Sequence, residues 1–262
     1  ARQADDPTQP WRERLEVSGL VGRSAGLAKV LRGVALASPI PATVLITGPT
    51  GVGKTQVARL IHTNGPRKSG TFLELNCAAL PDDLVESELF GALAGGHSTA
   101  TKRMVGKVEA ADGGTLFLDE IGELSMAAQS KLLSFLESGA YYPLGSSKEH
   151  RSDCRIVAAT NVDLEEAVKA GKFRQDLYYR LDVLKVEVPA LSVRREDVVP
   201  LARHFAKSVT GKYGLGALAL TAGAEVALED ADWPGNVRQL ANAVERGVLR
   251  AAAEEADAVG TP

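Results

Sequence analysis

Gly48-Pro49-Thr50-Gly51-Val52-Gly53-Lys54-Thr55 is the stretch on which the reading of this chain turns. It fits the phosphate-loop pattern G-x-x-x-x-G-K-[ST] at every fixed position. The preceding Thr43-Val44-Leu45-Ile46-Thr47 is β-branched and apolar, the signature of a buried strand. Residues 56–62 follow with helical apolar spacing at Val57, Leu60 and Ile61. Strand, glycine loop and helix in that order present backbone N–H groups to a polyphosphate at a helix N-terminus. In this reading residues 48–55 bind nucleotide, Lys54 meets the β- and γ-phosphates, and the Thr55 hydroxyl meets Mg²⁺.

The chain has 262 residues and a formal net charge of −3, with no global basic signal for nucleic acid. Cys77 and Cys154 lie in different segments, and four scattered histidines add no metal spacing. No apolar run approaches the ~20 residues of a membrane span. Residues 1–10 are polar, lack the apolar core of a signal peptide and do not start with Met. The expectation is a cytoplasmic piece of a longer protein, with no membrane contact.

Five apolar β-type runs occur at 43–47, 72–75, 115–118, 155–159 and 183–187. Helical patterns separate them at 54–63, 82–90, 126–138 and 163–170. Strands alternating with helices predict an α/β fold with a five-stranded parallel sheet covered on both faces. After Pro189 only helical patterns remain, at 198–209, 221–229 and 237–251. The predicted organisation is a linker over 1–18, an α/β nucleotide-binding domain over 19–189, a small helical lid over 190–253 and a disordered tail over 254–262.

Gly113-Gly114-Thr115-Leu116-Phe117-Leu118-Asp119-Glu120 is an apolar strand ending in two acids. A parallel strand delivers its last residues to the ligand edge of the sheet. Asp119 there can hold Mg²⁺, and Glu120 can orient the attacking water. Another strand ends in Thr160-Asn161, a polar pair at the same edge that is also ordinary turn chemistry. Arg174 and Arg180 lie six positions apart in Phe173-Arg174-Gln175-Asp176-Leu177-Tyr178-Tyr179-Arg180-Leu181. They read either as arginine fingers toward a neighbouring subunit or as a charged helix face paired with Asp176 or Asp182.

Taken with Glu88-Leu89-Phe90-Gly91, Ala158-Ala159-Thr160-Asn161 and Trp233-Pro234-Gly235-Asn236-Val237-Arg238, these motifs resemble the central AAA+ domain of sigma-54-dependent transcription activators, the bacterial enhancer-binding proteins. The resemblance runs over about residues 20 to 250. It implies an ATPase of hexameric or heptameric rings, with ATP and Mg²⁺ held between subunits. It makes Asp119 and Glu120 the Walker B acids and Asn76 the asparagine that restrains the catalytic glutamate. Thr160 and Asn161 become the first sensor, Arg174 and Arg180 the fingers acting in trans, and Arg238 the second sensor from the lid.

The family carries a loop of pattern Gly-Ala-Phe-Thr-Gly-Ala whose tip binds sigma-54 and couples hydrolysis to promoter opening. Here that loop reads Gly95-Gly96-His97-Ser98-Thr99-Ala100. His97 replaces an apolar anchor by a titratable ring, Ser98 keeps a hydroxyl, and Thr99 restricts a glycine position. The implied function is remodelling of sigma-54 RNA polymerase for promoter opening. The altered loop keeps open an alternative, a nucleotide-dependent oligomerisation module of a DNA-binding regulator that does not contact sigma-54. The family binds DNA through a C-terminal helix-turn-helix. Too few residues follow the last predicted helix to build one, so no enhancer binding is expected of this stretch.

Overall fold

The computed structural model describes residues 6–93, 103–216, 218–254 and 258–260. In chain order, α1 (Gln9–Arg12) and α2 (Ala25–Ala37) precede β1 (Val44–Thr47), α3 (Lys54–Thr63), β2 (Phe72–Asn76) and α4 (Asp82–Phe90). Next come α5 (Lys107–Ala110), β3 (Thr115–Asp119), α6 (Met126–Ser138), β4 (Ala140–Tyr141), β5 (His150–Arg151) and β6 (Arg155–Thr160). The series ends with α7 (Leu164–Lys169), α8 (Gln175–Leu181), β7 (Leu184–Glu187), α9 (Val198–Tyr213), β8 (Ala219–Leu220), α10 (Ala222–Asp230), α11 (Asn236–Ala253) and β9 (Ala258–Val259). The chain divides into two compact units. One comprises Gly33–Thr47 and Lys54–Glu187, the other Ala1–Arg32, Gly48–Gly53 and Val188–Pro262.

The first unit holds a five-stranded sheet of order β2-β3-β6-β1-β7. Every neighbouring pair is parallel. All six residues of β6 and four of the five in β3 are buried, as expected of central strands covered on both faces. Leu45, Leu116, Leu118 and Ile156 pack with Leu89, Phe90, Leu132 and Phe135 in one core. Burying each such side chain contributes roughly 2 kcal/mol. Local chemistry sets the helix ends. Ser125 caps α6 by accepting from Ala128 N at 3.3 Å, and the left-handed Gly139 stops it. Asp163 caps α7 by accepting from Glu165 N and Glu166 N at 3.0 and 3.1 Å.

In the second unit, α9, α10 and α11 bury Leu201, Ala202, Leu228, Leu240, Val244 and Val248 in a core of their own. Thr221 caps α10 by accepting from Ala224 N at 3.1 Å.

Two stretches that the sequence leaves without structure carry described elements. Residues 1–18, expected to fray, contain α1. Arg12 donates to Thr8 Oγ1 at 2.8 Å, Leu20 O at 3.1 Å and Gly22 O at 2.6 Å. One guanidinium thus ties a single helical turn to the start of the fold. The expectation of a disordered tail over 254–262 is corrected at residues 258 and 259. β9 pairs in parallel with β8, and Val259 is buried in the helical core. Neither a four-residue helix nor a two-residue strand is long enough to show periodicity.

Candidate functional site

Parallel register gathers the strand ends. Asn76 pairs with Asp119, and Thr47 with Thr160, so these residues share the C-terminal edge of the sheet. Lys54 opens α3 and is only 6 % exposed. A buried ammonium needs a counter-charge, and Lys54 Nζ lies 3.7 Å from Glu120 Oε1. Glu120 also accepts from Asn161 N through Oε2 at 3.3 Å, and its own N–H donates to Asp119 Oδ1 at 3.0 Å. Its backbone is left-handed, with φ 53° and ψ 50°. That conformation is uncommon outside glycine, asparagine and aspartate, and it marks a constrained position.

The other candidates at this edge have local engagements. Thr160 is fully buried, and its Oγ1 accepts from Val162 N at 3.0 Å. Asn76 Oδ1 accepts from Ala78 N at 2.9 Å, so the side chain closes its own turn while Glu120 engages Lys54 and the Asn161 backbone. Behind them Cys77 is buried, and burial together with the charges of Asp119 and Glu120 pushes its thiol up to about 12. At neutral pH it is a small apolar group.

Arg174 immediately precedes α8 and Arg180 lies within it. Arg174 grips Asp176 with two bonds, Nε to Oδ1 at 3.0 Å and Nη2 to Oδ2 at 2.7 Å. Arg180 donates from Nε and Nη2 to Leu136 O at 3.2 and 2.9 Å, in the last turn of α6. The Arg174–Asp176 pairing is the one that a charged helix face predicts. Neither guanidinium joins the Lys54–Glu120 pair.

The loop Gly95–Ala100 lies outside the described residues, but its base does not. Ala92 and Met104 exchange backbone bonds, N to O at 3.0 and 2.8 Å. Leu144, between β4 and β5, takes Leu93 N on its carbonyl and donates to Gly91 O, both at 2.9 Å. The two ends of the loop are therefore pinned to each other and to the β4–β5 turn.

In the other unit, residues 48–53 pack against the start of α11. A Cβ on Gly51 (φ +79°) would lie 2.5 Å from Gly235 O, so only glycine fits there. Gly51 O accepts from Arg238 N at 3.2 Å, while the Arg238 side chain is exposed. Thr50 O accepts from Asn236 Nδ2 at 3.0 Å and Val52 O from Arg194 Nη2 at 2.9 Å. Arg194 and Asn236 are absent from the sequence-derived site. Arg194 sits in a charged run, Arg194-Arg195-Glu196-Asp197, whose composition does not tell buried positions from exposed ones. In the structure its first and last members are buried and the two between them exposed.

Known proteins share this architecture. A model described as the AAA+ ATPase lid domain matches residues 192–259. The transcriptional regulatory protein DctD of C4-dicarboxylate transport from Pseudomonas aeruginosa is 47% identical over 238 residues, covering 90% of this chain and 52% of that protein. The DNA-binding transcriptional regulator NtrC of Rhizobium meliloti is 46% identical over 227 residues, covering 87% of this chain and 47% of that protein. The chain thus spans about half the length of these curated relatives. The crystal structure of NtrX from Brucella abortus in complex with ATP superimposes with a TM-score of 0.86 at 34% identity, over 96% of this chain and 55% of the other. Its complex with ADP gives the same TM-score and identity, over 97% and 56%. A P-loop, a parallel sheet of this order and a helical lid are the AAA+ NTPase fold, and the model described as the sigma-54 interaction domain matches residues 20–187, so the chain belongs to the sigma-54 interaction domain family.

Proposed function

We propose that this chain is the ATP-hydrolysing, ring-forming engine of a transcription regulator that remodels sigma-54 RNA polymerase for promoter opening. The observation that carries the reading is the buried Lys54 held against a left-handed Glu120 at the C-terminal edge of the sheet. An ammonium kept out of water beside the Glu120 carboxylate suits an anion site in which a polyphosphate takes over the counter-charge. ATP supplies the phosphoanhydride bond when bound, and Mg²⁺ neutralises its phosphates. Residues 48–53 and Lys54 would hold the phosphates, and Thr55 and Asp119 the Mg²⁺. Glu120, released from Lys54, would orient the attacking water and take up its proton. Thr160 and Asn161 would sense the γ-phosphate, Arg238 would reach it from the lid, and Asn76 would restrain Glu120 in one state of the cycle.

Arg174 and Arg180 complete the site in trans in this proposal, within a homo-hexamer or heptamer. The proposal is supported by what engages them within one chain: Arg174 is held by Asp176 and Arg180 by Leu136 O. Gly95–Ala100 would deliver the motion to sigma-54, and the pinned base of that loop gives it a firm mount.

The direct test mixes the protein with sigma-54 in the presence of ADP and a metal fluoride. A trapped complex is expected. ATP turnover with no complex would refute the sigma-54 step and favour the oligomerisation-module alternative. Within the site, Lys54→Ala should abolish nucleotide binding, and Glu120→Gln should retain binding and lose turnover.

A further inference from the structure

Three consecutive carbonyls of the phosphate loop are taken by side-chain or backbone donors of the same unit. Thr50 O is held by Asn236 Nδ2, Gly51 O by Arg238 N and Val52 O by Arg194 Nη2. The peptide bond is planar and trans, so a carbonyl and the next residue's N–H point in opposite directions. Fixing the carbonyls of residues 50, 51 and 52 therefore fixes the N–H vectors of Gly51, Val52 and Gly53. Those are amides of the loop that a polyphosphate needs.

Arg194 gains little else from its position. It is 4 % exposed, and among the described residues its Nε has no hydrogen-bond partner. Asp197 stands one turn away but is committed to another task. Its carboxylate accepts from Arg23 N at 2.7 Å, Ser24 N at 2.9 Å and Ser24 Oγ at 2.6 Å. Gly22 leaves it no slack, since a Cβ there would lie 2.7 Å from Asp197 Cγ. Asp197 N donates to Arg194 O at 2.9 Å, while its carboxylate provides a fixed charge near the guanidinium. Burial pulls the guanidinium's pKa down while Asp197 holds it up. Burying a guanidinium for one neutral carbonyl is poor value as a stability device. Asn236 adopts a left-handed backbone (φ 53°), and its Oδ1 accepts from Leu191 N at 2.8 Å while Nδ2 reaches the loop.

We propose that Arg194 is a positioning residue for nucleotide binding. With Asn236 it presets the peptide planes of the phosphate loop, so the N–H groups of residues 51–53 are aimed before the anion arrives. The inference rests on the nucleotide-binding reading above.

Two measurements on the full chain test it: Mg·ATP affinity by calorimetry, and hydrogen exchange of the nucleotide-free protein. Arg194→Met should weaken ATP at least tenfold, and Arg194→Lys should recover part of that loss through its remaining donor. Asn236→Asp keeps the acceptor for Leu191 N and removes the donor to Thr50 O. It should weaken ATP severalfold, and it carries the test even where Arg194→Met does not fold. Amides 51–53 should exchange about tenfold faster in each weakened variant, with α9 and α11 unchanged. Equal ATP affinity in wild type and all variants would overturn the positioning role alone. A uniform rise in exchange across α9 and α11 would also overturn it, by making Arg194 merely structural. Wild type that binds no ATP would overturn both readings.

Discussion

At the scale of single residues, the left-handed backbone of Glu120 carries a cost that can be measured. A side chain in that conformation costs roughly 1–2 kcal/mol that glycine avoids, and glycine returns part of the difference through its freer unfolded chain. Glu120→Ala and Glu120→Gly both lose the Lys54 pair, so their difference isolates the backbone. Glu120→Gly should be the more stable by about 1 kcal/mol in urea denaturation. Equal stabilities would mean that the turn carries no strain. His62 offers a second residue-scale prediction. It is buried in α3, its Nδ1 lies 3.0 Å from Thr115 Oγ1, and its ring packs on Phe72. Burial, then the charges of Arg155 and Arg59, hold its pKa below the usual 6.5. The unfolded chain therefore binds the proton more readily, and stability falls as pH drops below about 6.5. His62→Asn cannot ionise, so its stability should vary less over the window just below pH 6.5. Urea midpoints measured at pH 7.5 and 5.5 would show the difference, and identical pH slopes would remove His62 as the cause.

Among the elements, α2 ends on a charge brought from far along the chain. Arg155, at the start of β6 and 3 % exposed, donates to Ala37 O at 2.6 Å and Ser38 O at 3.0 Å. It answers the unpaired carbonyls and the negative end of the helix together. Arg155→Met keeps much of the volume and removes both charge-assisted bonds. The expected loss is about 2–4 kcal/mol, read as a lower urea midpoint with an unchanged m-value. The longer helices were legible for reasons of the same local kind. Residues 126–138 are bracketed by Ser125 and Gly139, and 54–63 follow the glycine loop directly. The strands were legible as apolar runs, but their order was not. β1 lies between β6 and β7 through pairings more than a hundred residues apart, which no local pattern carries. The phosphate-loop and Walker B motifs announced Lys54 and Glu120. The Lys54–Glu120 pairing, and the burial of Arg194 and Asp197 beside exposed Arg195 and Glu196, depend on tertiary packing.

For the molecule as a whole, the central question is whether one chain holds a complete catalytic site. The acids and Lys54 gather at one sheet edge, whereas Arg174 and Arg180 are held on α8 by Asp176 and the end of α6. Arg174, Asp176 and Tyr179 line an open cleft with Met126 and Gln175, a surface that a second copy could cover. If the fingers act in trans, activity belongs to the interface, and turnover per subunit should rise with protein concentration until assembly is complete. Mixing sharpens the test. On that proposal, Arg174→Ala alone would leave every interface without its finger, and Lys54→Ala alone would leave every loop unable to bind nucleotide. In a mixed assembly, some interfaces would then pair an intact loop from an Arg174→Ala subunit with an intact finger from a Lys54→Ala subunit. Turnover should therefore reappear on mixing two nearly inactive proteins, and it should peak at intermediate ratios. A mixture no more active than the sum of its parts, with assembly verified by light scattering, would place the complete site within one chain.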